Sequence, residues 1–230
     1  MNIPKDLYEY LAGFADDKTI VKMLSVNKKF NDPVFFQRIF NRKYPLLIKF
    51  KKDSQNWKDF YLSMVKYISK LEEEFGIPYI PTKYYNPKDF YNGYKGRKDI
   101  YDYAMRNAAY GGHIEIVKLM IEKDATDFDY AMISATTGGH EKIVKLMIEK
   151  GATDFNNSLI KAVEGGNIEI VKLLIEGATD LDYPLVSAAD AGNIEIVKLL
   201  IEKGADVSSW VIDSAEGNTE IVEYLKKFIK

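Results

Sequence analysis

Between Ile114 and Lys123 the chain is apolar at Ile114, Ile116, Val117, Leu119, Met120 and Ile121, and polar only at Glu115, Lys118 and Glu122. The polar three are spaced i+3 and i+4, which puts them on one narrow strip of a helix, where Glu–Lys pairs contribute roughly 0.2–0.5 kcal/mol each. The rest of the circumference is too apolar for a helix with only one buried side. Such a helix needs neighbours on two sides. The pattern also recurs. Gly-Gly-His-Ile-Glu-Ile-Val-Lys-Leu-Met-Ile-Glu-Lys opens at Gly111 and returns over residues 138–150, 165–176 and 191–203, with a frayed copy from Gly217. Anchored on the Ile-Val pair, the copies fall at Ile116, Ile143, Ile170, Ile196 and Ile221, in steps of 27, 27, 26 and 25 residues. A period of this size predicts a solenoid, whose units bury their apolar faces only by stacking.

Each unit predicts two antiparallel helices, the first shorter than the second: Tyr103–Ala109, Tyr130–Thr136, Ser158–Val163 and Pro184–Ala189. A small residue holds one register in each (Ala108, Ala135, Ala162, Ala188), which lets two helices approach closely. Gly151 and Gly204 stand where a left-handed residue ends a helix. The first unit has Asp124 in that place, a tolerable substitute. The last unit carries Glu223, Lys226, Lys227 and Lys230 in its second helix, as a solvent-facing end requires. Its lysines suit the negative end of the helix dipole.

Upstream, Trp57, Phe60, Tyr61, Met64, Ile68, Leu71 and Phe75 keep helical spacing, and Gly76 stops the helix. This is a packing stripe. Ile77-Pro78-Tyr79-Ile80-Pro81 must be extended, because residues before proline avoid the helical region. Tyr84, Tyr85, Tyr91 and Tyr94 follow among Lys and Asn. They could stack on single-stranded nucleic acid, or pack along the first repeat as its N-terminal cap. At the start of the chain, Pro4 suits a first helical turn. Leu7, Leu11 and Phe14 share one face, and Asp16 or Asp17 can cap a second helix bearing Ile20, Met23 and Leu24. Three regions result: 1–45, short helices; 46–99, a long helix and a Tyr/Pro-rich connector; 100–230, about five repeats.

Composition narrows the function. With 47% hydrophobic and 29% charged residues the chain is ordinary globular material. It has no cysteine, which excludes disulfides, thiolate catalysis and sulfur-bound zinc. No apolar run approaches the ~18 residues of a membrane span, and charges at Lys5, Asp6 and Glu9 interrupt any signal peptide; a cytoplasmic protein is expected. Residues 1–100 hold 19 Lys+Arg against 12 Asp+Glu, and residues 101–230 hold 13 against 22. This imbalance fits two domains with unlike solvated faces. It also fits an acidic repeat surface that disfavours nucleic acid and prefers basic protein segments.

Candidate chemistry is sparse. His113 and His140 occupy one slot that Asn167, Asn193 and Asn218 fill later. A slot open to His or Asn wants a local polar group at a helix start, not a base or a metal ligand. Glu72-Glu73-Glu74 reads as a solvated helix end, and Gly111-Gly112 as a turn rather than a phosphate cradle. No nucleophile–base pair is present, so no catalytic residue, cofactor or metal is expected.

The repeated Ala108-Ala109-x-Gly-Gly-His-Ile-Glu-Ile-Val-Lys-Leu-Met-Ile-Glu-Lys, with Gly-Ala-Thr-Asp following in the second unit, resembles the ankyrin repeat over roughly residues 100–230. Two departures stand out. The Thr-Pro-Leu-His opening survives best as Tyr183-Pro184-Leu185-Val186. The period is also short of the usual 33. The resemblance implies an all-α, ankyrin-type helical-hairpin solenoid with short or missing β-hairpin fingers. Ile3-Pro4, Leu7, Leu11, Phe14, Asp16-Asp17, Ile20-Val21, Met23 and Val26-Asn27-Lys28-Lys29-Phe30 resemble the F-box, with Phe35 to Phe40 and Arg42 to Pro45 continuing it. The same helices could instead cap the solenoid. The combination is similar to proteins that large DNA viruses of amoebae encode, which would place it in the host cytoplasm.

Together these resemblances imply a substrate-recruiting subunit of a cullin-type ubiquitin ligase, or alternatively a stand-alone scaffold that sequesters a partner. Ile3, Pro4, Leu7 and Leu11 would dock on the ligase adaptor. First-helix positions that vary between units would hold the target: Tyr103, Arg106, Tyr110, Tyr130, Ile133, Thr137, Lys161, Glu164, Asp190 and Trp210. Tyr, Trp and Arg concentrate interface energy, which ranks Tyr103, Arg106, Tyr130 and Trp210 first. The expected partners are proteins, not nucleic acid or membrane, and the chain is expected to be a monomer.

Overall fold

A computed structural model describes residues 33–83, 85–97 and 99–228. Ile3, Pro4, Leu7 and Leu11, with the rest of residues 1–32, lie outside the described residues, as do Tyr84 and Lys230. The described residues are helical, with no strand among them. They fall into two compact units divided between Ile100 and Tyr101.

The first unit is organised by its longest helix. Helix α1 (Pro33–Lys43) leads into a 3-10 turn (Pro45–Phe50), then α2 (Trp57–Phe75) and α3 (Pro87–Tyr94). Asn56 caps α2 by accepting the Lys58 N–H at 2.7 Å. Gly76, at φ 62°, ends it, and the Ile77 N–H closes back on the Leu71 carbonyl at 3.0 Å. This is the left-handed stop the sequence calls for. The expected stripe is buried at Phe60, Tyr61, Met64, Ile68 and Leu71, and Val65 joins it. Phe36, Ile39, Tyr44 and Leu47 share that core, with the Phe36 and Tyr61 rings 5.8 Å apart. Residues on both sides of position 45 thus form one apolar interior.

The connector aromatics belong to this unit's packing. Tyr85 and Tyr91 are almost wholly buried, which removes both rings from any stacking platform for nucleic acid. Burial pushes the Tyr79 phenol up to about 12 and the Tyr85 phenol higher still. The Tyr91 hydroxyl donates to the Glu74 carboxylate at 2.9 Å and accepts from Lys70 Nζ at 3.3 Å, pinning α3 to the end of α2. Glu74 is therefore engaged, where the sequence suggests only a solvated helix end.

The second unit is the solenoid. Its first helices are α4 (Ile100–Tyr110, begun at the unit boundary), α6 (Phe128–Gly138), α8 (Phe155–Glu164), α10 (Asp182–Asp190) and α12 (Ser209–Ser214). Its second helices are α5 (Ile114–Glu122), α7 (Glu141–Glu149), α9 (Ile168–Leu174), α11 (Ile194–Glu202) and α13 (Thr219–Leu225). α6, α8, α10 and α12 stack in one row, and α5, α7, α9, α11 and α13 in another. Ile170, Val171 and Leu174 fill the space between, with Val117 and Met120, Ile143, Val144 and Met147, Ile196, Val197 and Leu200, and Ile221 and Leu225 in the other units. Ala108, Ala135, Ala162 and Ala188 are fully buried where the rows touch. Gly151, Gly204 and Asp124 all have positive φ, and Asp124 is the one described non-glycine residue to do so.

The expectation of short first helices is corrected. α6 and α8 start two or three residues earlier than the apolar pattern suggests, because Asp127 and Asp154 cap them, accepting the Tyr130 and Asn157 N–H groups. The apolar spacing marks where a helix is buried; the cap marks where it begins.

One core position is mismatched. Ser158 is fully buried and its hydroxyl has no hydrogen-bond partner, while the same register holds Ala104 and Ala131. A buried polar group without a partner carries its full desolvation cost. Ser158→Ala is therefore expected to raise stability by about 1 kcal/mol, a gain of roughly 2–4 °C for a chain of this size in a thermal melt. A lowered melting temperature would refute this account of the position.

Candidate functional site

The solenoid places the variable residues of the first helices on a common stripe. Tyr103, Tyr130, Asn157, Tyr183 and Trp210 share one register. Three residues on come Arg106, Ile133, Ile160, Val186 and Asp213. Four on come Asn107, Ser134, Lys161, Ser187 and Ser214, and seven on, in the first four units, Tyr110, Thr137, Glu164 and Asp190. Offsets of 0, 3, 4 and 7 lie on one helical face. All ten first-helix residues selected from sequence fall on it.

Within the stripe the structure gathers three of the four top-ranked residues. The Arg106 guanidinium lies 4.9 Å from the Tyr103 ring centroid and 4.2 Å from that of Tyr130. It also pairs with the Asp127 carboxylate, and the two side chains are only 25% and 26% exposed. A guanidinium held between two rings and a carboxylate is a tight, directional arrangement. Asp127 has two tasks here, because it also caps α6. Trp210 belongs to the last unit, not to this cluster.

The remaining candidates are dispersed. Ile133 and Tyr110 are half-buried, and Thr137 is exposed, its hydroxyl donating to the Ile133 carbonyl of its own helix at 2.8 Å. Lys161 and Glu164 pair with each other at 2.8 Å on the surface, and Asp190 is exposed. Tyr183 escaped the sequence selection although it shares the register of Tyr130. It is 55% exposed, against 57% for Tyr130 and 77% for Trp210. Asp180, Asp182, Tyr183, Val186, Asp206 and Trp210 line an open groove of about 400 Å³ between the last two units.

A second feature ties successive units together and was not read from the sequence. Asp102 Oδ1 accepts the N–H groups of Thr126 and Asp127 at 2.7 and 3.0 Å. Asp129 Oδ1 accepts those of Thr153 and Asp154 at 2.5 and 2.9 Å. Asn156 Oδ1 takes Thr179 and Asp180 at 2.8 and 3.2 Å, and Asp182 Oδ1 takes Asp206 at 2.8 Å. Each first helix thus grips the loop that leads into the next unit. The signal was present as an Asp or Asn immediately before the register of Tyr103, Tyr130, Asn157 and Tyr183.

The His/Asn slot is structural in two ways. Asn167 and Asn193 cap locally, accepting the Ile170 and Ile196 N–H groups at 3.2 Å. His140 instead reaches the previous unit, its Nε2 lying 3.0 Å from the Tyr110 carbonyl oxygen. A side chain at Gly138 would strike that carbonyl and the imidazole. Among the described residues no His, Asp and Glu group is arranged to hold a metal ion, and no helix is long and apolar enough to cross a membrane.

Comparison with known proteins agrees with this geometry. Residues 132–209 match the family model of ankyrin repeats in three copies, within the stacked hairpins of the second unit. The match does not extend to the N-terminal segment. No curated protein matches the chain. Ankyrin repeats indicate a protein–protein interaction role, and proteins built from them are generally interaction scaffolds rather than enzymes.

Three substitutions test which contacts hold the stripe. Asp129→Ala removes the acceptor of two N–H groups of the next loop, and is expected to cost about 1–1.5 kcal/mol. Glu169→Ala, which removes only an exposed pair with Lys172, should change stability by under about 0.5 kcal/mol. Arg106→Ala should cost about 1–2 kcal/mol through lost ring and carboxylate contacts. Urea unfolding of the three variants measures the order; an Asp129→Ala as mild as Glu169→Ala would remove the gripping role.

Proposed function

We propose that the chain is a recruiting subunit. Its ankyrin stripe holds a target protein, and its N-terminal segment engages the adaptor of a cullin-type ubiquitin ligase. The observation that carries the target-binding half is the stripe itself, where exposed Tyr130, Tyr183 and Trp210 stand on a scaffold whose interior repeats from unit to unit. Large aromatics on a rigid frame supply contact area with little entropy to lose on binding. The ligase half is supported by the order Ile3-Pro4, Leu7, Leu11, Phe14, Asp16-Asp17 and Val26 to Phe30. Ile3, Pro4, Leu7 and Leu11 are its docking residues, and the host cytoplasm is its place of action.

A second reading keeps the stripe and drops the ligase, making the chain a scaffold that sequesters its partner. It is favoured by the shared core of Phe36, Ile39, Tyr44 and Leu47 with α2, which ties the end of the F-box-like stretch into the first unit. An N-terminal deletion that spares this core must stop at residue 32.

Affinity capture from eukaryotic lysate separates the readings. The full chain is expected to recover a cullin-ligase adaptor, and Pro4→Ala combined with Leu7→Asp to lose it. Tyr130→Ala with Trp210→Ala should retain the adaptor and lose the target. Absence of adaptor from the wild-type eluate, or its persistence in the N-terminal variant, eliminates the ligase role. Deleting residues 1–32 is expected to leave the melting of the repeats unchanged; a large drop would make the segment a cap.

A further inference from the structure

The two ends of the stripe carry the same aromatic frame with different contents. At one end Tyr103 and Tyr130 flank Arg106, and Asp127 neutralises it. At the other end the same register supplies Tyr183 and Trp210, and the position of Arg106 is taken by Val186. Val186 cannot reach out between the rings, and the groove of about 400 Å³ opens there. Its rim holds Asp180, Asp182 and Asp206.

We propose that this groove receives an arginine side chain from a basic segment of the target protein, which would occupy it as Arg106 occupies the frame between Tyr103 and Tyr130. The proposal rests on the protein-binding reading of the stripe and names the chemistry of the partner. A planar guanidinium stacks on an aromatic face and offers a fork of N–H donors to carboxylates. Asp180 and Asp182 each use Oδ1 on backbone N–H groups within the solenoid, which orients the carboxylates and leaves a second oxygen on each for the incoming cation. The two rings are the most exposed aromatics of the stripe besides Tyr130. Among the described residues no cation lies over them as Arg106 lies over Tyr103 and Tyr130, and the register that would supply one holds valine.

Other occupants fit less well. Three carboxylates repel the phosphates of a nucleic acid. The acids are not arranged as a metal-binding group. An ammonium fits the charge, but it lacks the flat face and the fork of donors that a guanidinium offers to rings and carboxylates.

The test uses the full chain labelled with nitrogen-15 and reads the Trp210 indole N–H and the Asp206 amide by NMR. The probe is the peptide acetyl-Gly-Gly-Arg-Gly-Gly amide, with lysine and citrulline versions beside it. Both signals are expected to shift saturably with the arginine peptide, several-fold more weakly with lysine, and not at all with citrulline. The arginine response should fall as salt is raised. Val186→Arg should fill the groove from within and weaken the arginine peptide at least tenfold. Its thermal melt confirms that the variant is folded, and Trp210→Phe assigns the indole signal against that of Trp57. No response to the arginine peptide, an equal response to citrulline, or an undiminished response in Val186→Arg overturns the assignment. Any of these would leave the capture experiment, and so the interaction role, standing on its own result.

Discussion

Loops as short as those joining these hairpins must find partners for backbone N–H groups that no helix can serve. Lys123 to Asp127 and Lys150 to Asp154 are the whole connections between units. A hydrogen bond to such an N–H group contributes about 0.5–1.5 kcal/mol net. Asp102, Asp129, Asn156 and Asp182 meet this need by reaching from one unit to the next. The apolar rows explain why the hairpins stack. The carboxylate and amide grips fix where each loop sits and hence the spacing of the stripe.

Much of the architecture was legible because it follows from local periodicity. The five helix pairs, the buried alanines, the stop at Gly76 and the left-handed Asp124 need only neighbouring residues to be understood. What escaped depends on partners more than twenty residues away. The Asp129 grip, the Asp127–Arg106 pair and the contact from His140 to the Tyr110 carbonyl each link one unit to another. The first-helix lengths escaped for a different reason. Asp127 and Asp154 stand before Phe128 and Phe155, which begin their helices but lie outside the regular apolar spacing.

Aromatic residues in the connector show how ambiguous composition can be. Tyr85, Tyr91 and Tyr94 lie among lysines, a pattern that fits a stacking surface as well as a core. The deciding fact is three-dimensional: Ile77 and Ile80, each followed by a proline, are buried together with Tyr85, while Tyr91 is fastened to Glu74 and Lys70. An exposed version of this segment would need those hydrogen bonds and that buried area replaced.

Arg106 bears on how interface energy is distributed along the stripe. By residue type it ranks as a hot spot, yet its guanidinium is already stacked, paired and three-quarters covered. A partner that claimed it would first have to break contacts that hold α4 to α6, and only the difference would appear as affinity. The Tyr183–Trp210 end carries no such debt, because its rings stand exposed and its carboxylates are oriented by the scaffold. Binding energy per residue should therefore be greater at the C-terminal end of the stripe than at Arg106. Residue type alone ranks the two ends together; the internal pairing of one of them sets them apart.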